Sequence, residues 1–431
     1  MRILILTVGT RGDVQPYLAL AKGLLAAGHN VRLCTCGRFE SFAAAHGVDF
    51  AAINNDLLDF MDSDLGRSVM ETTTNLFEMV RTVRRVWPTV GPMIRRHIDE
   101  MAAVAMAYRP DLILFHKKAI GAEDFAEKLG CRCALAFYLP MYVPSSHAPA
   151  FGLPRLPLGS AYNRLTYRFI NAVTKASSAS FARPWRKRQG MSPRGRYRRH
   201  ADGSPIGAIH AYSPSVLPEP SDWPEWAIVS GYWFLDGPED YSPPAELRAF
   251  LAAGPPPVYV GFGSIFGRDP RGKAKAVIEG VRRSGARAIL ASGWGGIDLT
   301  DLKLPETMLA IESAPHDWLF PRVAAVVHHG GCGTTGAGLR AGKPTIVCPF
   351  FADQPFFADQ PFWGRIVHEL GVGPKPILQR RLTADKLAAA IRSTLADEAM
   401  RAKASALGET LRSERGVENA VAFVERYMAG Q

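Results

Sequence analysis

Short apolar segments alternate with amphipathic helical ones in two separate runs along this chain, and a proline- and aromatic-rich stretch divides the runs. In the first run RILILTV is an apolar strand, Val14 to Ala27 has helical spacing with Leu18, Ala21, Leu24 and Leu25 on one side, and HNVRLCTC is the next strand. A long helical stretch follows from Leu76 to Tyr108 and stops at Arg109-Pro110. Then come the strand DLILFH, the helix AEDFAEKLG closed by Gly130, and the strand CALAFYLP. Apolar strands separated by helices argue for a parallel sheet covered on both faces.

Between Met141 and His200 the alternation loosens into Pro, Gly and Ser with aromatic and basic residues, a composition that serves binding or stays disordered. Ser213 to Pro244 reads as a connector. The pattern then restarts with PVYVGFGS, a helix from Lys273 to Ser284, ARAILASG, MLAIES, AAVVHHGG, a helix from Thr334 to Ala341, PTIVCPF and WGRIVHELG. At 431 residues the chain exceeds one ordinary core. Two doubly wound α/β halves are therefore expected: a domain over 1–215, a linker over 216–244, a second domain over 245–410 and a final helix over 411–431. Ligands of such halves gather beyond the carboxyl ends of the strands, so a cleft between them is the expected site.

No apolar run approaches the roughly 18 to 20 residues needed to span a bilayer. The opening MRILILTVGT is interrupted by Gly9, Arg11, Gly12 and Asp13 without a small-residue cleavage site, so it reads as the first buried strand of a cytoplasmic protein. Six cysteines, two pairs of them spaced CxC in apolar strands, lack histidine partners at zinc-finger spacing and read as reduced structural thiols in preference to a metal site. The formal charge is +11, and Arg183 to Arg199 carries eight Lys/Arg and no acid. Such a run is a solvated loop, an anchor to anionic lipid on the inner face of a membrane, or a nucleic-acid patch. No finger, recognition-helix or RNA-binding signature accompanies it, so no nucleic acid is expected.

In VVHHGGCGTTGAGLRAG a strand delivers His329 to a turn where Gly330, Gly331 and Gly333 let backbone approach a ligand, and Thr334 and Thr335 open a helix. Free N–H groups and the positive helix end suit an anion, a diphosphate above all. The plainer reading is a tight strand-to-helix turn with a threonine cap. The P-loop pattern GxxxxGK[ST] is absent, and GTRGD is not GxGxxG.

Taken together, HHGGCGTT, AGKPTIVCPFFADQ, SAPHDWLFPR, PPVYVGFGS, DWPEWAIVSGYWFLD and GTRGDVQPYLALAKGLLAAGH resemble the nucleotide-sugar glycosyltransferases of family 1, in particular the sterol glucosyltransferase branch and its bacterial relatives. The likeness covers the first forty residues or so and nearly everything from Ser213 to Pro374. It implies a GT-B fold, two facing Rossmann-like domains with an interdomain cleft, acceptor on the N-terminal half and donor on the C-terminal half, with the last helical stretch crossing back. By that likeness His329 contacts the donor diphosphate, supported by Gly331, Gly333, Thr334 and Ser264. Ala314, Pro315 and His316 line the base pocket, an Asp-Gln pair binds sugar hydroxyls, and neither metal nor cofactor is needed. Asp13, just past the first strand, becomes the general base that takes the acceptor's proton; its structural alternative is a cap on the helix beginning at Val14. Two departures weaken the choice of UDP over dTDP: Ser313 stands where plant members place a stacking tryptophan, and Ala337 where they place a ribose-binding glutamate.

On the acceptor side His116, Phe137, Tyr138, Met141 and Tyr142 form a candidate apolar pocket suited to a sterol, carotenoid, polyketide or lipid alcohol, although aromatic residues at a strand end are also ordinary core. Trp294 could pack over the donor or anchor a loop. The expected function is inverting, metal-independent transfer of a hexose, glucose from UDP-glucose, to a lipophilic hydroxyl. The alternatives are a UDP- or dTDP-dependent transferase to a carbohydrate or natural product, a nucleotide-sugar epimerase, or a sugar-nucleotide- or lipid-binding protein without turnover.

One repeat leaves an ambiguity. PFFADQPFFADQPFW holds two acid-amide pairs, Asp353-Gln354 and Asp359-Gln360. By the family likeness, spacing from His329 favours the first. A helix begun at Asp353 would carry Pro361 in its third turn, at a cost of about 3 kcal/mol, whereas one begun at Asp359 holds it harmlessly in the first. Helix register thus favours the second pair.

Overall fold

A computed structural model describes residues 1–63, 65–66, 76–238, 240–263, 269–292, 298–350 and 359–430. Ser264, Trp294, Asp353 and Gln354 lie outside the described residues. The chain divides into two units. The first comprises Met1–Ser63, Leu76–Leu235 and Arg415–Gln431, the second Asp64–Asn75 and Asp236–Glu414.

Seven strands build the first unit: β1 (Arg2–Leu6), β2 (Asn30–Cys36), β3 (Asp49–Ile53), β4 (Leu112–Phe115), β5 (Arg132–Phe137), β6 (Gly207–His210) and β7 (Ala227–Val229). Their order is β3-β2-β1-β4-β5-β6-β7, every pair parallel. Helices α1 (Arg11–Ala26), α2 (Leu76–Tyr108), α3 (Ala122–Leu129) and α4 (Gly159–Arg188) belong to this unit. Ile3 to Leu6 and Leu112 to Leu114 are completely buried, as central parallel strands covered on both faces must be. The region 216–244, read as a linker, contributes β7 to this sheet, and the chain leaves the unit only after Leu235. The terminal helix Gly416–Ala429 is pinned to the same unit: the Tyr427 hydroxyl donates to the Cys133 carbonyl and accepts the Gly207 N–H, each at 3.0 Å.

Five strands build the second unit: β8 (Val258–Gly261), β9 (Ala288–Ala291), β10 (Met308–Ile311), β11 (Ala325–His328) and β12 (Thr345–Val347), in the all-parallel order β10-β9-β8-β11-β12. Its helices include α5 (Pro270–Ser284), α6 (Cys332–Arg340), α7 (Asp359–Glu369) and α8 (Ala384–Ala396). Strand alternation splits the core in two. Val258, Val260, Leu290 and Val327 face Val277, Val281, Leu387 and Ile391 of α5 and α8, while Tyr259, Ile289 and Val326 pack with Leu319 and Phe320 on the other side.

Most of the basic run is exposed, but several of its charges are engaged within the unit. Arg186 is 1% exposed and bridges Asp124 at 2.6 Å and Glu127 at 2.8 Å. Arg188 pairs with Asp99, and Arg198 and Arg199 donate to the carbonyls of Tyr142 and Gly203, each at 2.7 Å. These engaged charges hold loops of the first unit. All six cysteines carry free thiols, and burial pushes Cys34 and Cys348 up to about 12, unreactive packing groups. Among the described residues no helix is long and apolar enough to cross a membrane.

Candidate functional site

In each sheet the strand order reverses once, between β1 and β4 in the first and between β8 and β11 in the second. Loops leaving the carboxyl ends of such strand pairs splay apart and open a crevice. Asp13 and His116 lie at the first of these points and His329 at the second.

In the first unit β1 ends at Leu6, and the chain turns through Gly9 at φ +142° into α1. A side chain at Gly9 would collide with Asp13, whose carboxylate folds back to within 2.1 Å of where a Cβ would sit. Asp13 stands at the third helical position, and its Oδ2 accepts the Thr10 N–H at 2.9 Å, the carboxylate half of a capping box. The helix thus begins at Arg11, not Val14, with Thr10 at its N-cap, and Asp13 caps from within the first turn with only one oxygen. Oδ1 accepts from Lys118 Nζ at 2.7 Å and from the Tyr138 hydroxyl at 2.9 Å, with His116 Nε2 3.8 Å away. Asp13 is 4% exposed. Burial pushes its pKa upward, yet Lys118 and the two hydrogen bonds outweigh burial and hold the carboxyl at about 2.

His116, at the end of β4, is fully buried, and burial first, then Lys118 and Lys117, drives its pKa well below 6.5. It is neutral at pH 7. Its Nδ1 accepts the Lys118 N–H at 3.4 Å, which leaves the proton on Nε2, the nitrogen nearer Asp13 and without a hydrogen-bond partner of its own. Tyr17, Phe137 and Tyr138 enclose the ring.

Of the five residues read as an acceptor pocket, His116 and Tyr138 converge on Asp13. Phe137, Met141 and Tyr142 are only 1%, 5% and 5% exposed. Phe137 packs against Tyr138 and Tyr142, the Met141 carbonyl binds His210 Nε2, and Tyr142 lies under the Arg198 guanidinium. These three are buried, and Tyr138 is half-buried. Lys118 was missed in the sequence because nothing in HKK connects it to an aspartate 105 residues earlier.

In the second unit β11 delivers His328 and His329. His328 is buried, and its Nδ1 accepts the Gly330 N–H at 2.9 Å, fixing the turn. Gly330 has φ +94°, and a Cβ there would meet Val347 at 2.7 Å and the Gln360 carbonyl at 2.9 Å. A Cβ on Gly331 would lie 2.5 Å from His329 Nε2, and one on Gly263, after β8, 3.0 Å from His329 Cε1. The imidazole is thus held between two glycine backbones. Burial lowers its pKa to about 4, so at pH 7 it is a neutral hydrogen-bond donor. Helix α6 starts at Cys332. Thr335 closes the turn, its hydroxyl donating to the Gly331 carbonyl at 2.9 Å, while Thr334 remains half-buried at the helix start. Gly333 meets nothing within 4 Å of where its Cβ would be, leaving open space above the first-turn N–H groups.

Ala314, Pro315 and His316 follow β10. His316 stacks on Phe320 with ring centroids 4.2 Å apart, and the Gly237 backbone packs on Pro315. Helix α7 begins at Asp359 with Pro361 in its first turn. Gln360 is buried, its Oε1 accepts the Phe350 N–H at 2.9 Å, and its backbone touches Gly330. The second acid-amide pair therefore sits against the His329 loop.

Two all-parallel α/β sheets, each with candidate groups at or near its switch point, are the architecture of the GT-B class. Residues 3–107 match the family described as glycosyltransferase family 28 N-terminal domain, and residues 297–422 match the erythromycin biosynthesis protein CIII-like C-terminal domain. Over 99% of its length the chain is 36% identical to a sterol 3-beta-glucosyltransferase of Aspergillus clavatus, and it spans about 30% of the length of that relative. Among solved structures, the glycotransferase of kitacinnamycin superposes with a TM-score of 0.68 at 19% identity over 99% of both chains. The glycosyltransferase VinC in complex with dTDP superposes at 0.68 and 18% identity over 100% of both. The chain belongs to the sterol glucosyltransferase-like branch of the family 1 nucleotide-sugar glycosyltransferases.

Proposed function

We propose that this protein moves a hexose, glucose from UDP-glucose, onto a hydroxyl of a lipophilic acceptor with inversion at the anomeric carbon. The observation that supports this reading most is topological: an ionised carboxylate stands at the switch point of the first sheet, and a glycine-histidine loop opening a helix stands at that of the second. The acceptor hydroxyl replaces Lys118 or Tyr138 as donor to Asp13 Oδ1. Losing one of these partners raises the basicity of the carboxylate, which takes the hydroxyl proton as the oxygen attacks the anomeric carbon. The bond from that carbon to the diphosphate breaks on the opposite face, so the configuration inverts. Negative charge on the departing diphosphate is met by the His329 N–H and the first-turn N–H groups of α6, and no divalent metal is required.

A dTDP-sugar is the second reading, favoured by Ala337, which offers no carboxylate to a ribose 2′-hydroxyl. Lipophilic acceptors partition into bilayers, so the enzyme is expected to meet them at a membrane surface. Mass spectrometry of the purified protein with UDP- and dTDP-sugars and a panel of hydroxylated lipids tests the proposal. New glycoside from one pair is the expected result; neither transfer nor slow donor hydrolysis with any pair would overturn it.

A further inference from the structure

Eight large apolar side chains are strongly exposed among the described residues, and five of them fall within residues 156–173: Leu156 (47%), Leu158 (61%), Leu165 (60%), Phe169 (52%) and Val173 (48%). Scattered exposed leucines need no explanation, but a contiguous set does. Leu165, Phe169 and Val173 recur every four residues on α4, so each is displaced only about 40° around the axis from the last and the three form a ridge roughly 12 Å long. The buried side of the same helix, Thr166, Tyr167 and Ile170, is turned into the first unit. Leu158 and Leu156 precede the helix directly.

Charge surrounds this ridge asymmetrically. Arg164, Arg168 and Lys175 are exposed and fall together on one flank of the helix, and Arg155 is exposed just ahead of it. No acidic residue lies between Glu127 and Asp202. A helix with one packed side, one exposed apolar ridge and one basic flank has the anatomy of an element lying in a lipid interface.

We propose that the first half of α4 docks on an anionic lipid bilayer, Leu165, Phe169 and Val173 entering the headgroup boundary while Arg164, Arg168 and Lys175 contact lipid phosphates. A second copy is the weaker occupant, because in a two-fold contact the same basic flank would face itself. A folded protein partner would need a complementary groove for a convex ridge, whereas a bilayer deforms around it. The site lies on a different stretch from the run Arg183 to Arg199, several of whose charges are engaged within the unit. It involves no donor-binding residue, so its failure is distinguishable from failure of the proposed transfer.

Co-sedimentation of the full chain with vesicles of phosphatidylcholine alone, and with about 30% phosphatidylglycerol, tests it. The protein is expected to partition onto the anionic vesicles and to be released by salt. The triple variant Leu165→Ser, Phe169→Ser, Val173→Ser should lose about tenfold or more in partitioning at an unchanged thermal midpoint. Arg164→Gln, Arg168→Gln, Lys175→Gln should erase the preference for anionic over neutral vesicles. Wild-type protein that ignores both vesicles, or a triple variant that partitions like it, overturns the proposal. So does a wild-type dimer, seen by light scattering, that the triple variant converts to monomer, since the ridge would then belong to a second copy.

Discussion

Lys118 Nζ lies 2.7 Å from Asp13 Oδ1, and His116 Nε2 stands 3.8 Å from the same oxygen. The carboxylate is a helix cap through Oδ2 and a charged, three-sided cluster through Oδ1, so the two readings of Asp13 are occupied by different atoms. Asp13→Asn keeps most of the cap and removes the proton acceptor. Turnover should fall about 10²- to 10⁴-fold, the range for loss of a general base, while the donor dissociation constant stays within about twofold. Single-turnover assays with calorimetric donor titration separate the two; turnover near that of wild type would remove Asp13 from the chemistry.

The same ion pair sets an acid limb of stability. The folded Asp13 value, about 2, lies below the ordinary 3.8, so the group's contribution is complete above pH 4 and is lost as pH falls through 2. The difference is worth about 2 kcal/mol. Lys118→Met should raise the Asp13 pKa and shrink this limb, so that wild type and variant converge in urea stability near pH 2 and differ most above pH 4. A constant gap at all pH values would show that Lys118 acts through packing instead.

Buried neutral histidines act in the opposite direction. His210, 1% exposed between the carbonyls of Met141 and Ile228, and His329 are both lowered to about 4 by burial. Between pH 6.5 and 4 the unfolded chain takes up protons that the folded one refuses, so stability is lost as pH falls across that window. His210 is the more deeply buried of the two; His329 retains some solvent contact and contributes less. His329→Gln should flatten the loss of thermal midpoint between pH 6.5 and 4 relative to wild type. Parallel curves for the two proteins would mean His329 is not held neutral.

What could be read in the sequence, and what could not, follows from the range of the forces involved. Runs such as ILIL and LILF are buried because a central parallel strand has no wet face, and apolar content alone reveals that. The turn HHGG and its glycines are local steric facts, readable from glycine spacing. Contacts between distant segments were hidden. Lys118 reaches Asp13, Arg186 reaches Asp124 and Glu127, and Tyr427 reaches Gly207 across separations that leave no periodic trace. The helix read as opening at Thr334 begins two residues earlier, at Cys332, and the Thr335 hydroxyl closes its first turn on the Gly331 carbonyl.

Of the doubled Asp-Gln, the second copy is the one whose contacts with the glycine loop are described. Gln360 accepts the Phe350 N–H and its backbone rests on Gly330, so Asp359→Ala should raise the donor KM several-fold, and Asp353→Ala should leave KM and kcat unchanged. Steady-state kinetics on the two single variants decide it; the reverse pattern would return the sugar contact to the first copy.

Two neighbouring glycines then separate support of His329 from support of the fold. Gly331 has an ordinary φ of −62°, and the obstacle to a side chain there is the tip of the His329 imidazole, 2.5 Å from the Cβ position. Gly331→Ala can be accommodated by displacing that ring, so donor affinity should drop about tenfold with little change in thermal midpoint. At Gly330 the φ of +94° is itself strained for any L side chain, and the obstacles are the Gln360 backbone and Val347, which cannot swing aside. Gly330→Ala should therefore cost about 1–3 kcal/mol of stability, with donor binding failing only alongside folding. Thermal denaturation and donor calorimetry on both variants give the contrast. If Gly331→Ala binds donor like wild type, the histidine held between the two glycine backbones is not what grips the diphosphate.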